Sequence, residues 1–210
     1  MLRILIADDH AIVREGLKQI LAEMPGKALL DEAVNGQEAL QKVWESDYDI
    51  VLLDISMPGR SGLDILKQLK GDKPALQILM LSMHPEEQYA VRALKAGAAG
   101  YLTKESTPHE LLEAVQKISE GKKYVSSSLA EALARHLEAN SERPLHETLS
   151  DREYEIMCMI GSGKMIKEIA GELSLSIKTV STYRSRILSK MQMKNNAQLI
   201  QYAIQNRLGY

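Results

Sequence analysis

The first 121 residues alternate short apolar runs with stretches whose apolar side chains recur at helical spacing. The apolar runs, each of the right length for a strand buried on both faces, cover residues 2–7, 28–33, 49–54, 77–82 and 99–103. Helical spacing is visible in residues 13–24, 63–69, 91–94 and 111–118. This alternation predicts five βα units, forming a five-stranded parallel, doubly wound α/β sheet with right-handed crossovers. Ligands of such folds bind at the carboxyl ends of the strands.

The pattern is helical throughout from residue 149 onward and predicts an all-α domain of four helices. We place these helices at about 150–161, 164–173, 177–191 and 195–206. Ser150 opens a capping box with Glu153, and Ser176 is positioned to cap the third helix. The second and third helices are joined by a turn of about four residues, which is the spacing of a helix-turn-helix.

The segment between the two patterns, residues 122–148, has a different character. It contains one predicted helix at about 127–138, followed by a polar Asn-Ser-Glu-Arg-Pro segment that is typical of a linker. The length of 210 residues also fits one full-sized domain and a smaller one. We therefore predict domains at 1–121 and 149–210, joined by a linker at 122–148.

Charge is divided unevenly between these two regions. Residues 1–121 carry 13 Lys and Arg against 19 Asp and Glu, whereas residues 148–210 carry 9 against 5. No acidic side chain follows Glu172. An acidic first domain suits cations, and a basic second domain suits phosphate backbones.

Polar side chains end four of the predicted strands. Asp8 and Asp9 end the first, Asp54 the third, Ser82 the fourth, and Lys104 follows the fifth. The carboxyl ends of parallel strands meet at one edge, so we expect three carboxylates, a hydroxyl and an ammonium there. Clustered carboxylates favour a divalent cation, and hard oxygen ligands suit Mg²⁺. Helix capping is an alternative explanation for Asp8 and Asp9, but it does not account for the other three residues.

These five residues suit phosphoryl transfer to a carboxylate, in which a metal and a lysine offset the charge on oxygen. Residues 1–121 resemble a response-regulator receiver domain of flavodoxin-like fold. The motifs that carry the resemblance are DDH at 8–10, DISMPG at 54–59, Ser82 and Lys104. One departure is Glu105, which stands where the wider family commonly has proline.

The resemblance implies a role for each residue of this site. Asp54 is the expected phosphoacceptor, and Ser82 and Lys104 are expected to contact the phosphoryl oxygens as catalytic residues. Mg²⁺ is expected on Asp54, Asp9 and the carbonyl of Ser56, with Asp8 acting through water or as a further ligand. Tyr101 is the expected aromatic switch residue that reorients with Ser82, although packing as an ordinary strand aromatic is its alternative use.

The third helix of the second domain presents a basic face rich in hydroxyl groups. Its apolar stripe comprises Ile177, Val180, Ile187, Leu188 and Met191. Short hydroxyl side chains between cations let a helix approach the major groove closely. A solvated face on a packing helix is the alternative, which the preceding turn and the absence of acids disfavour.

Residues 149–206 resemble the output domain of NarL/FixJ (LuxR-type) regulators, chiefly in SLSIKTVSTYRSRILSKM at 174–191. The resemblance implies that Ser181, Thr182 and Ser185 read the bases. The residues expected to position the DNA backbone are Lys178, Thr179, Tyr183, Arg184 and Arg186. In the fourth helix, Leu199, Ile200 and Ala203 are expected at a dimer contact, and core packing within the domain is the competing use.

Together these features predict a phosphorylation-dependent transcription regulator of a two-component system. Its expected partners are a sensor histidine kinase, double-stranded promoter DNA, RNA polymerase and a second copy of the chain. The absence of a long apolar stretch or an apolar leader in the sequence leads us to expect a cytoplasmic protein without a membrane anchor. Catalysis is expected to be limited to its own phosphorylation and dephosphorylation.

Two other functions remain as alternatives. A Mg²⁺-dependent phosphohydrolase would use Asp54 as a nucleophile in true turnover, but no carboxylate stands two residues later, where Ser56 is found. A phosphorylation-independent DNA-binding protein would carry a vestigial receiver. The retention of all five site residues argues against this second alternative.

Overall fold

The computed structural model of the chain describes residues 1–138, 144–206 and 208. The chain divides into two compact units, Met1–Ala132 and Leu133–Tyr210. The predicted polar linker segment falls largely on residues 139–143, which lie outside the described residues.

The first unit is built on a five-stranded parallel sheet, as the alternating pattern predicts. The strands are β1 (Leu2–Ala7), β2 (Ala28–Ala33), β3 (Ile50–Asp54), β4 (Gln77–Ser82) and β5 (Gly100–Thr103). Their order is β2-β1-β3-β4-β5, and every neighbouring pair is parallel. The register places Asp54 opposite Leu81 and Ser82 opposite Thr103, so the polar strand ends meet at one edge. The predicted fold is confirmed.

Five helices connect and flank these strands. They are α1 (Ala11–Ala22), α2 (Gly36–Glu45), α3 (Gly62–Asp72), α4 (Glu86–Lys95) and α5 (Pro108–Ser119). Every residue of the central strand β3 is buried. Apolar side chains of the sheet pack against Leu111, Ala114, Val115 and Ile118 of α5. Burial of this apolar surface, at about 25 cal/mol per Å², makes the sheet a rigid platform for the residues at its edge.

Strand β2 differs from the prediction that all five strands are buried on both faces. Leu29 is 49% exposed, and Asp31 is exposed on the same strand. The reason is its position, because β2 lies at the edge of the sheet and pairs with β1 alone.

A further helix, α6 (Ser127–Glu138), follows the first domain and agrees with the helix predicted in the linker. The second unit then contains a 3₁₀ helix (Leu145–Thr148), which the sequence analysis did not predict, and four α-helices. These are α7 (Asp151–Gly161), α8 (Ile166–Glu172), α9 (Ile177–Lys190) and α10 (Asn196–Gln205). All residues of α7 are buried, which makes it the central helix of this unit.

The predicted caps form. The Ser150 hydroxyl accepts from the Glu153 backbone N–H at 3.4 Å, and Glu153 Oε2 accepts from the Ser150 N–H at 2.8 Å. Ser176 Oγ accepts from the Thr179 N–H at 3.0 Å, so α9 begins where the sequence predicts. The predicted apolar stripe of α9 is buried at Val180, Ile187 and Met191 but not at its first residue, since Ile177 is 54% exposed.

Candidate functional site

Three carboxylates meet at the carboxyl edge of the sheet. Asp8 and Asp54 are almost fully buried, with 0% and 1% exposure, and the Asp9 side chain is 26% exposed. His10 Nδ1 lies 3.2 Å from Asp8 Oδ1 and 3.0 Å from Asp9 Oδ1. One ligand atom from each of these four residues falls within 4.8 Å of the others. The strand ends therefore form one compact acidic cluster, as expected, and the imidazole of His10, the residue that precedes α1, lies beside it.

Lys104 supplies the positive charge of this cluster. Its Nζ lies 2.7 Å from Asp8 Oδ2 and 2.9 Å from Asp54 Oδ2, and its side chain is only 6% exposed. The Lys104 backbone N–H donates to the Ser82 carbonyl at 2.7 Å, which fixes the start of the loop after β5 against the end of β4. One ammonium is thus shared between two buried carboxylates.

Burial dominates the protonation behaviour of Asp54. It raises the pKa of the Asp54 carboxyl, the charge of Asp8 raises it further, and Lys104 opposes both effects, with an upward net shift. Burial lowers the pKa of the Lys104 ammonium, but Asp54 and Asp8 outweigh burial and raise it. The ammonium therefore stays charged, and the charge on Asp54 carries a cost that further positive charge would relieve.

The oxygens of the cluster fit a hard divalent cation. Asp8 Oδ2, Asp9 Oδ1 and Asp54 Oδ2 are buried and accept no hydrogen bond among the described residues. Their charged neighbours are Lys104 Nζ, which pairs with Asp8 and Asp54, and His10 Nδ1, which lies 3.0 Å from Asp9 Oδ1. A buried carboxylate oxygen without a donor is costly unless a cation contacts it. Carboxylate oxygens with room for water are the ligands that Mg²⁺ prefers.

Ser82 and Tyr101 converge on the loop that joins β4 to α4. The Ser82 hydroxyl accepts from the His84 N–H at 3.0 Å, and the Tyr101 hydroxyl donates to the His84 carbonyl at 2.8 Å. Both side chains are fully buried, with 0% exposure. The two predicted switch residues therefore bond the backbone N–H and the backbone carbonyl of one residue, His84.

Ser56 is the remaining residue of the predicted site, where the sequence analysis expects a carbonyl ligand. Its backbone N–H donates to Asp54 Oδ1 at 3.2 Å, so the loop after β3 folds back onto the Asp54 carboxylate.

Sequence reasoning missed two residues that support the cluster. Arg14 donates to the Asp8 carbonyl at 2.8 Å and to Glu32 Oε2 at 2.8 Å, tying α1 to the ends of β1 and β2. Gly62 lies so close to β3 that a Cβ there would stand 2.2 Å from the Asp54 carbonyl oxygen. Arg14 falls one helical turn after His10, but nothing in its spacing identifies Glu32 as its partner.

The second candidate site is the exposed face of α9. Lys178, Ser181, Thr182, Ser185 and Arg186 are exposed, whereas Thr179, Tyr183 and Arg184 are half-buried. The hydroxyls of Thr182 and Ser185 donate to carbonyls one turn earlier, at 2.9 and 3.1 Å, which keeps these side chains close to the helix. A helix face with only short side chains between its cations can approach a nucleic-acid groove closely.

Arg184 differs from the other cations of this face. Its Nε donates to Asn196 Oδ1 of α10 at 2.5 Å, so the side chain also braces two helices of the domain. Arg186 instead lies over the Tyr183 ring, 6.0 Å from its centroid.

The predicted dimer residues do not share one environment. Leu199 and Ala203 have 0% exposure and belong to the core of the second unit, which is the competing use considered from the sequence. Ile200 is half-buried, and its neighbour Ile204 is 66% exposed. The prediction that Leu199 and Ala203 contact a second copy is therefore corrected. Each side chain is already covered within its own domain and has no surface left for a partner. The role of Ile200 stays a prediction.

Residues 4–116 match the family described as "Response regulator receiver domain". The chain belongs to the response regulator family. Residues 147–203 match a second family, "Bacterial regulatory proteins, luxR family". The protein is accordingly a two-component response regulator with a receiver and a LuxR-type DNA-binding domain. Such proteins are transcription factors and not typical enzymes, and receiver domains in general bind Mg²⁺.

Relatives of this response regulator match along the whole chain. It is 35% identical to "Response regulator UvrY" of Escherichia coli (strain K12) over 209 residues, covering 99% of this chain and 96% of the relative. It is 36% identical to "Oxygen regulatory protein NreC" of Staphylococcus aureus (strain JH9) over 214 residues, covering 99% of each.

Solved structures also match this chain over nearly its whole length. RcsB of Salmonella enterica serovar Typhimurium, bound to promoter P1flhDC in the presence of the phosphomimetic BeF3⁻, matches with a TM-score of 0.61. It is 27% identical and the match covers 96% of this chain and 97% of RcsB. Within residues 1–138, 144–206 and 208, none of the helices combines the length and apolar character that crossing a bilayer requires.

Proposed function

We propose that this response regulator accepts a phosphoryl group on Asp54 from a sensor histidine kinase, and that phosphorylation controls binding of α9 to promoter DNA. The observation that carries the proposal is the pairing of buried Asp54 with Lys104 at 2.9 Å, inside a cluster with Asp8 and Asp9. The receiver domain supports a histidine kinase as the phosphodonor, and promoter DNA as the target supports a cytoplasmic location for the protein.

The chemistry assigned to the cluster is transfer to a carboxylate oxygen. An Asp54 oxygen attacks the phosphorus, and the bond from phosphorus to the kinase histidine breaks. Lys104 pairs with the phosphoryl oxygens, and Ser82 contacts a third oxygen through its hydroxyl. Hydrolysis of the acyl phosphate at the same site reverses the modification, so catalysis is limited to the protein's own phosphorylation state.

The residues assigned to Mg²⁺ are Asp9, Asp54 and the carbonyl of Ser56, with Asp8 acting through water or as a further ligand. The cation supplies charge neutralisation for the incoming phosphoryl oxygens. Its binding also relieves the repulsion between carboxylates that burial makes costly. The imidazole of His10 borders this set, with its Nδ1 3.0 Å from Asp9 Oδ1.

The proposed readout begins at Ser82. When its hydroxyl turns to a phosphoryl oxygen, the His84 N–H loses its acceptor, and the β4–α4 loop is freed on one side. Tyr101, which holds the carbonyl of the same residue, then moves with the loop. These two residues thereby act as the switch that the resemblance implies.

DNA recognition is assigned to the exposed face of α9. Ser181, Thr182 and Ser185 approach base edges, while Lys178 and Arg186 pair with phosphates, with Thr179, Tyr183 and Arg184 at the margins of the contact. RcsB, a relative, is described in one structure as two dimers bound to two parallel DNAs. We assign the homodimer contact of this chain to the exposed face of α10 around Ile200. RNA polymerase is the further partner expected at the promoter.

Phosphorylation is tested by intact-mass measurement of the full chain with acetyl phosphate and Mg²⁺. The wild-type chain is expected to gain one phosphoryl group that is lost in EDTA-free buffer over time, as an acyl phosphate hydrolyses. Asp54→Asn is expected to gain none. Asp47→Asn is the matched control, because the Asp47 side chain is 98% exposed and remote from Lys104. Equal labelling of Asp54→Asn and wild type would overturn the assignment.

A further inference from the structure

A buried carboxylate at the start of α4 holds the start of α6. Glu86 is 8% exposed, and its Oε2 accepts from Ser126 Oγ at 2.5 Å and also from Ser128 Oγ. Ser126 Oγ in turn accepts from the Leu129 N–H at 3.1 Å, as an N-cap does. The cap of α6 is therefore fastened to α4 through one carboxylate.

The chain leading to this contact is bound to the receiver as well. The Tyr124 N–H donates to the Ala99 carbonyl at 2.9 Å, and Gly100 and Tyr124 form a parallel bridge. The approach is close enough that a Cβ on Gly100 would lie 3.0 Å from the Tyr124 Cβ. The Lys123 ammonium donates to the Ala98 carbonyl. Residues 123–128 thus lie along the start of β5 and reach α4.

The same carboxylate is close in sequence to the switch residues. Glu86 follows His84 by two residues, and His84 is the residue held by the Ser82 and Tyr101 hydroxyls. Only Pro85 separates them. Because the proline ring fixes φ, the backbone at Pro85 has little freedom to absorb a displacement of His84 before it reaches Glu86. A change at the Ser82 hydroxyl therefore reaches the cap of α6 along one short stretch of backbone.

We propose that Glu86, Ser126 and Ser128 form a latch that holds α6 on the unphosphorylated receiver and opens when Asp54 is phosphorylated. This inference rests on the proposed function, since it assigns the route by which that site is read out. Loss of the Ser82 contact shifts the β4–α4 loop, the Glu86 carboxylate withdraws, and the two serine hydroxyls turn to water. The start of α6, which leads out of the receiver, is then released.

The test is hydrogen–deuterium exchange of the full chain, with and without acetyl phosphate and Mg²⁺, with phosphorylation verified by intact mass. In the wild-type chain, peptides covering residues 124–131 are expected to exchange at least about tenfold faster after phosphorylation, because hydrogen bonds to a charged acceptor are lost. Glu86→Ala and Ser128→Ala are expected to show this faster exchange already without the phosphodonor, and to respond to it little further.

Ser127→Ala is the matched control. Ser127 lies between the two latch serines, is exposed, and has no hydrogen bond to Glu86 among the described residues. Its exchange is expected to follow the wild-type chain in both states. Ser128→Ala removes a single hydroxyl from an exposed residue, so it tests the latch even where Glu86→Ala disturbs folding.

The outcomes separate the latch from the proposed function. If Asp54 becomes phosphorylated and exchange at 124–131 does not change, the latch is wrong and the phosphoacceptor assignment stands. If exchange in Ser128→Ala equals that of Ser127→Ala, the latch is wrong as well. If intact mass shows no phosphorylation of wild type, the proposed function fails first, and the latch, which depends on it, fails with it.

Discussion

Replacing Lys104 with methionine removes the one ammonium that the structure places between Asp8 and Asp54. At 2.7 and 2.9 Å, an effective dielectric constant of about 20 gives roughly 6 kcal/mol for each contact, most of which desolvation cancels. Removing one partner of a buried ion pair leaves a net loss of about 3–5 kcal/mol. Because domains are stable by about 5–15 kcal/mol, the variant is expected to fold but to unfold at lower urea concentration.

Selective tryptophan fluorescence is a suitable assay for this loss. Trp44 is the single tryptophan of the chain and lies in α2, so its signal follows unfolding of the receiver and not of the DNA-binding domain. In EDTA, Lys104→Met is expected to lose about 3–5 kcal/mol relative to wild type. Saturating Mg²⁺ is expected to restore a large part of this lost stability, about 2.7 kcal/mol when the Mg²⁺ concentration is a hundredfold above its Kd.

The pH dependence of this deficit has a definite sign. Burial raises the pKa of Asp54, and loss of Lys104 raises it further. A carboxyl with a raised pKa in the folded state stabilises the fold in acid and loses that contribution as pH rises through its folded pKa. The deficit of Lys104→Met is therefore largest at neutral pH and shrinks in acid, starting above the ordinary aspartate value of 3.8.

Lys122→Met is the matched control for this experiment. Lys122 pairs with Glu120 on the surface, with side chains 68% and 46% exposed, and such pairs contribute about 0–1 kcal/mol. An unchanged urea midpoint for Lys104→Met in EDTA, equal to that of Lys122→Met, would refute the account of a buried cluster neutralised by Lys104.

Three further outcomes are expected. Gly62→Ala is expected to lower the free energy of unfolding in urea by about 3 kcal/mol, because its Cβ would meet the Asp54 carbonyl, whereas Gly71→Ala, with nothing within 4 Å, is expected to raise it by about 0.5–1 kcal/mol. Equal effects of the two substitutions would contradict the close approach at Gly62. Asp54→Asn is expected to raise the receiver's urea midpoint at neutral pH without metal, because burial raises the pKa of Asp54 and the ionised carboxylate therefore destabilises the fold. A lowered midpoint would contradict this destabilisation. Lys178→Ala and Arg186→Ala each reduce the salt dependence of DNA binding by about one unit of slope, and an unchanged slope excludes phosphate contact.

The sheet was predictable because its strands are short, apolar and separated by helical periodicity. All five strands lie within one residue of their predicted limits. Residues at the ends of parallel strands share one edge, so the meeting of Asp8, Asp9, Asp54 and Lys104 followed from strand assignment alone. This part of the site depends on backbone topology and not on details of packing.

Other features depend on packing that no local pattern encodes. Arg14 finds Glu32 across 18 residues, and Glu86 finds Ser126 across 40. Leu199 and Ala203 show why periodicity identifies an apolar helix face but does not distinguish a domain core from a dimer contact. The half-exposed strand β2 is a similar case, since an edge strand and a central one can have comparable composition.

The central claim is that Asp54 phosphorylation controls DNA binding, and fluorescence anisotropy with labelled promoter DNA tests it most directly. The wild-type chain and Asp54→Asn are each titrated into the labelled DNA in buffer that contains Mg²⁺, with and without acetyl phosphate. The account predicts that the phosphodonor tightens binding by the wild-type chain and leaves Asp54→Asn unchanged. Equal phosphodonor-dependent tightening in both proteins, or equally tight binding by both without it, would contradict the account.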